Sequence, residues 1–135
     1  MLHHLATLVL AIDEHEPSKV PFYIGGHTDV ALRRAARVGD GWSSAMMKLD
    51  DLRDTIARLR TLLAEAGRAD DPFEYQAVCI DAFGLDGYRE QEAAGVTDVI
   101  TMPWVFDGVG FDAPIEPKLD AIRKFGDEII AKFGD

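Results

Sequence analysis

The feature that most narrows the fold of this chain is an alternation. From residue 20 onward, apolar runs of strand length take turns with amphipathic stretches of helix length, and glycines mark most of the joints. "VPFYIGG" reads as a strand stopped by Gly25 and Gly26. Thr28 or Asp29 then caps a helix whose apolar residues are Ala31, Leu32, Ala35, Ala36 and Val38, closed by Gly39. "GWSSAMM" is a short strand leading into a loop. Leu52, Ile56, Leu59 and Leu63 recur at helical spacing, with Asp50 and Asp51 in the first turn and the end at Gly67. "PFEYQAVCI" begins with strand alternation, Phe73, Tyr75 and Ala77 against Glu74 and Gln76. "LDGYREQEAAG" is a short helix closed by Gly95, and "TDVITMPW" a strand stopped by Pro103. The last helix places Ile115, Leu119, Ile122, Ile129 and Phe133 on one stripe. "AARVGDGW" and "EAAGVTDVI" share one grammar: a helix end, a glycine, then an Asp leading into a strand. About four strand–helix units in succession predict an α/β fold with parallel strands and helical crossovers. Residues 106–117 form the only long loop, a length that often carries function.

A chain of 135 residues is one domain's worth, and no linker or low-complexity segment divides it. With 24 acidic against 14 basic residues the formal net charge is -10, which argues against nucleic acid and an anionic membrane surface as partners. The single cysteine, Cys79, forms no internal disulfide and fits a reducing compartment. "LATLVLAI" is too short to span a bilayer and has no basic residue before it, so neither a signal peptide nor a membrane span is expected. The expected location is the cytoplasm.

The physics of the glycine pair points to a phosphate. Glycines let the backbone come close to a ligand, and a helix N-terminus directly after them offers unpaired N–H groups and a positive dipole end. Gly25, Gly26, His27 and Thr28 supply the backbone donors, and the Thr28 hydroxyl adds one more. The competing reading is a tight strand–helix turn with nothing bound. His27 either donates to a phosphate oxygen or is a solvated loop residue. Arg33 and Arg37 share a helix face that is either an aid to an anion or a solvated outer surface. His3, His4 and the acidic run at residues 13–16 match no strong metal-ligand spacing, and Cys79 reads as an inert buried thiol.

"YIGGHTDVALRRAARVGDGW" resembles the luciferase-like monooxygenase superfamily, particularly its actinobacterial members that use the deazaflavin coenzyme F-420. "LRDTIARLRTLLAEAGR", "EAAGVTDVITMPW" and "KLDAIRKFGDEIIAKF" are similar to the helix, last strand and last helix that follow in that family. The resemblance runs from residue 20 to the end, and residues 1–19 stand outside it. It implies a (β/α)8 barrel, a fold of about 250 residues. The chain is then a single partial domain, 1–135, forming roughly the C-terminal half of a TIM-type barrel. Much of the ring pocket and many catalytic side chains belong to the other half. A half-barrel leaves two strand edges open, so a homo-oligomer or pairing with another half-barrel is expected.

The resemblance also implies that the glycine turn holds a cofactor phosphate, F-420 in preference to FMN. Trp42 and Trp104 are read as lying just past strand ends, the catalytic face of a barrel, where each walls a flavin or substrate pocket or simply packs. No protein nucleophile stands out, which suits an oxidoreductase whose cofactor carries the redox chemistry. The expected activity is hydride transfer or monooxygenation. The alternative is a non-catalytic α/β fragment or association module.

Overall fold

In the computed structural model, residues 20–133 are described. Strand β1 (Tyr23–Gly25) runs through the glycine turn into helix α1 (Asp29–Val38), strand β2 (Gly41–Met47) into α2 (Leu49–Glu65), and β3 (Glu74–Cys79) into α3 (Gly84–Ala94). Strand β4 (Asp98–Val99) is followed by a single-turn helix α4 (Pro103–Phe106) and by α5 (Ile115–Phe125). Helix α5 continues through a π-helical turn, Gly126–Ile130, to Ala131–Phe133. The four strands lie in sequence order β1-β2-β3-β4 and all pair in parallel, as the alternation of strand and helix requires.

Local chemistry explains the joints. The Thr28 side chain caps α1 by accepting from the Ala31 N–H at 3.3 Å. Helix α1 ends at Gly39 as expected, but for a steric reason. Its φ is -84°, open to any residue. A Cβ there would come within 2.9 Å of the Ala35 carbonyl and 3.0 Å of Ile24. Asp40 then accepts from the Phe22 N–H at 3.0 Å, tying the entry of β2 to that of β1.

The core lies between the sheet and the helices. Ala31, Leu32, Ala35 and Ala36 of α1 are buried, small residues that let the helix approach the sheet closely. Leu52, Ile56, Leu59 and Leu63 of α2 are all buried, joined by Leu49 and Leu62. Each contributes about 2 kcal/mol in removing apolar surface from water. From the strands, Trp42, Tyr75, Ala77 and Cys79 face this layer.

Three expectations need correction. The strand read in "TDVITMPW" pairs formally only at Asp98–Val99. The flanking residues still run beside β3, with Thr97 N donating to Tyr75 O at 3.0 Å and Ile100 N to Ala77 O at 2.9 Å. No described strand lies on its outer side to extend it. The loop at residues 106–117 is shorter, because Phe106 belongs to α4 and Ile115 opens α5. The apolar stripe of the last helix is largely uncovered: Ile115, Leu119, Ile122 and Phe133 are exposed, and Ala121 alone is buried in α5.

Parallel sheets normally carry cover on both faces. Here the face away from the helices is open among the described residues. By strand alternation it presents Tyr23, Ser43, Glu74, Gln76 and Asp98 low down, and Met46, Val78, Ile80 and Ile100 towards the strand ends.

Candidate functional site

The turn after β1 is built for close approach. Gly26 has φ +111°, a conformation L residues avoid, and a Cβ there would lie 2.7 Å from the Ala31 Cβ. The loop is thereby pressed onto the first turn of α1, and the first N–H groups of that ten-residue helix lack intrahelical partners. An anion placed there meets these donors and the positive end of the helix dipole.

Two side chains from β2 and the turn lock this geometry. The Trp42 Nε1–H donates to the Gly26 carbonyl at 2.9 Å. The backbone N–H of Ala45 donates to His27 Nε2 at 3.0 Å. That N–H is free for the purpose because β2 is irregular, its pairing with β3 shifting register between Ser43 and Met46. Accepting at Nε2 places the proton of a neutral His27 on Nδ1, leaving that N–H as the ring's donor.

The electrostatics of the helix start are arranged around Asp29. Its carboxylate accepts from Arg58 at 2.8 Å and from Arg33 at 2.6 Å. Hydrogen bonds from Arg58 and then Arg33 hold its pKa below the ordinary carboxylate value. The two guanidinium groups offset the one negative side chain that would oppose an anion at the helix start. Arg33 also reaches Glu65 at 3.4 Å, so it belongs to an ion-pair network on the outer helix face.

Gly25, Gly26, His27 and Thr28 run from the end of β1 into the start of α1, and Trp104 lies past the end of β4, both as read; the position read for Trp42 needs correction. Trp42 does not follow a strand end. It is the second residue of β2 and 0% exposed, packed among the helices, so it braces the glycine turn from behind and walls no pocket. Trp104 is the second residue of the short helix α4, half-buried, its indole nitrogen buried without a hydrogen-bond partner among the described residues. His3, His4 and residues 13–16 lie outside the described residues. Cys79 is buried, and its thiol pKa is raised, chiefly by burial.

Sequence reasoning missed a polar row on the open sheet face. The Ser43 hydroxyl donates to Gln76 Oε1 at 2.9 Å, and Gln76 Nε2 donates to Asp98 Oδ2 at 2.6 Å. The signal was in the strand alternation, which puts Glu74 and Gln76 opposite the core-facing Tyr75 and Ala77. Beneath this row the Tyr23 phenol pKa is raised, by desolvation first and then by the carboxylates of Glu74, Asp98 and Asp40.

Four parallel strands with helical crossovers, and a glycine turn at the strand ends, are half of a (β/α)8 barrel. The chain belongs to the luciferase-like monooxygenase family, whose model matches residues 3–93. That match takes in residues 3–19, which the resemblance in sequence left aside. Uncharacterised proteins from Mycobacterium bovis and from two strains of Mycobacterium tuberculosis are each 41% identical to it over 114 residues. Those residues are 84% of this chain and 39% of each relative, so the chain spans about two-fifths of the length of the curated relatives it matches. Among solved structures, the coenzyme F-420 dependent tetrahydromethanopterin reductase from Methanopyrus kandleri superposes with a TM-score of 0.62 at 17% identity. The superposition covers 84% of this chain and 51% of that one, and it shows a shared fold. The family and the fold neighbour are oxidoreductases.

Proposed function

We propose that this chain supplies the phosphate-holding, C-terminal half of the cofactor site of a luciferase-like oxidoreductase, and that the cofactor is F-420 in preference to FMN. The observation that carries the reading is the glycine turn: Gly26 at positive φ, pinned by Trp42 and followed by a capped helix N-terminus. Only glycine fits at position 26, where a Cβ would lie 2.7 Å from the Ala31 Cβ, and backbone N–H groups at a helix N-terminus are the donor set that a phosphate takes. The choice of F-420 is supported by the named cofactor of the fold neighbour. When bound, such a cofactor supplies the two-electron chemistry of hydride transfer or of monooxygenation. The residues of this chain hold it: the backbone N–H groups at residues 26–29 and the Thr28 hydroxyl bind the phosphate, while His27 Nδ1–H offers one further donor.

The open sheet face favours a second element of the proposal. Met46, Ile80 and Ile100 are exposed on it, and β1 and β4 each have an uncovered outer edge among the described residues. Another half-barrel, a second copy or a separate chain, covers this face and completes the barrel. The same observation supports the competing reading, an association module that binds no cofactor. The net charge of -10 supports small-molecule rather than nucleic-acid partners, and the single buried thiol supports a cytoplasmic location. No described helix is long and apolar enough to cross a membrane.

Fluorescence titration with F-420, and separately with FMN, tests the proposal. Saturable micromolar binding of F-420, lost in Gly26→Asp, is the expected result. A folded sample that binds neither compound overturns it in favour of the association module.

A further inference from the structure

Gly25, Ser43, Gln76 and Asp98 are register partners across all four strands. They form one continuous rung, and its first member is the last residue of β1, next to the phosphate turn. Neighbouring strands are about 4.8 Å apart, so the step from the turn to Ser43, and from Ser43 to Gln76, is within reach of a short polyol chain. The rung is open at its head, because a Cβ on Gly25 would meet nothing nearer than the Ser43 carbonyl at 3.9 Å.

The hydrogen bonds along the rung have a fixed direction. Asp98 Oδ2 accepts the Gln76 amide N–H at 2.6 Å, which turns the amide oxygen towards Ser43. Ser43 spends its hydroxyl proton on that oxygen at 2.9 Å. What remains is an acceptor at Ser43, one N–H donor at Gln76 and a second acceptor at Asp98. Neighbouring hydroxyls, each able to donate and accept, complement such an alternating strip. A flat apolar group does not. Above the strip the face turns apolar at Met46, Val78, Ile80 and Ile100, while Tyr23 and Glu74 lie below it, so this rung is the upper edge of the polar band.

We infer that the Ser43–Gln76–Asp98 rung binds the polyol chain that joins ring to phosphate in flavin and deazaflavin cofactors. This rests on the cofactor reading above and assigns new residues to it. Ser43 accepts from the hydroxyl nearest the phosphate, Gln76 donates to the next, and Asp98 sets the direction of both.

The test is a fluorescence titration of the full chain with three ligands of one series: the whole cofactor, its phosphate-free ribityl form, and the same ring carrying a methyl in place of the ribityl chain. The deazaflavin or the flavin series is used, whichever the unmodified chain binds more tightly. The ribityl form should bind more tightly than the methyl form. Gln76→Leu should weaken the whole cofactor and the ribityl form by about tenfold, the worth of one hydrogen bond, and leave the methyl form unchanged. Ser43→Ala should act in the same direction and serves if the leucine variant does not fold. Gly26→Asp should weaken only the phosphate-bearing ligand. Equal binding of ribityl and methyl forms, or a ribityl form indifferent to both rung variants, overturns the inference while leaving the phosphate site standing. Failure of every ligand in both series removes the cofactor reading and this inference with it.

Discussion

The indole N–H of Trp42 donates to the carbonyl of Gly26 at 2.9 Å, from inside the core to the turn at its rim. The bond ties the conformation of the candidate phosphate site to the packing of the domain. Replacing the indole should be felt at both places. Trp42→Phe keeps most of the apolar contact but leaves a carbonyl without its donor, a loss of about 1–3 kcal/mol. Urea denaturation should show that loss, and binding of F-420 should weaken in a sample that remains folded. If stability falls while binding is unchanged, the bond matters to the core and not to the turn.

The two glycines of the turn should differ sharply. Gly26→Ala introduces a Cβ at φ +111°, 2.7 Å from the Ala31 Cβ, and should cost about 1–3 kcal/mol in strain. Gly25→Ala meets nothing within 3.9 Å and should leave thermal stability nearly unchanged. Equal melting temperatures for the two variants would show that the turn does not hold this conformation.

Asp29 gives the helix start a dependence on pH. Its folded pKa is lowered by Arg58 first and Arg33 second. Its contribution is therefore fully present above the unfolded value, about 3.9, and is lost as the pH falls through the lower folded value. Asp29→Asn should flatten that acid limb of the stability profile and leave neutral-pH behaviour little changed, since the pair is exposed and screened by solvent. Arg58→Ala should move the Asp29 titration, followed by NMR, upward towards the ordinary value. A titration that stays in place would mean that Arg58 does not pair with Asp29 in solution.

Much of this was written in the sequence, and the gaps have physical causes. The i, i+4 apolar pattern at Leu52, Ile56, Leu59 and Leu63 is a local signal, and the helix forms there with those residues buried. Thr28 and Gly26 are local signals as well, and cap and turn stand where they were read. Trp42 is different. Whether a tryptophan beside a glycine faces a core or a pocket depends on which face of the sheet the helices cover, and Trp42 lies within β2 on the helix-covered face. The rung of Ser43, Gln76 and Asp98 depends on register between strands more than 20 residues apart, as the 33- and 22-residue separations of its hydrogen bonds show. No local pattern fixes such pairing. The last helix fails for another reason. Its stripe has helical spacing, but the described residues provide only part of a surface to receive it.

The open sheet face makes the final prediction. Met46 and Ile80 stand on it near the strand ends, 74% and 43% exposed, and neither belongs to the core cluster. If a second half-barrel covers this face, charge placed there must be desolvated on association. Met46→Lys with Ile80→Lys should then shift the chain from dimer to monomer in sedimentation, with an unchanged far-ultraviolet dichroism spectrum because the core is untouched. The shift should reverse at high pH, where the lysines lose their charge near their ordinary value of about 10.4. A chain that is monomeric both before and after the substitutions would remove self-association through this face. The partner would then have to be a different chain, recognised by restoring a single dichroic melting transition when mixed in equal amounts.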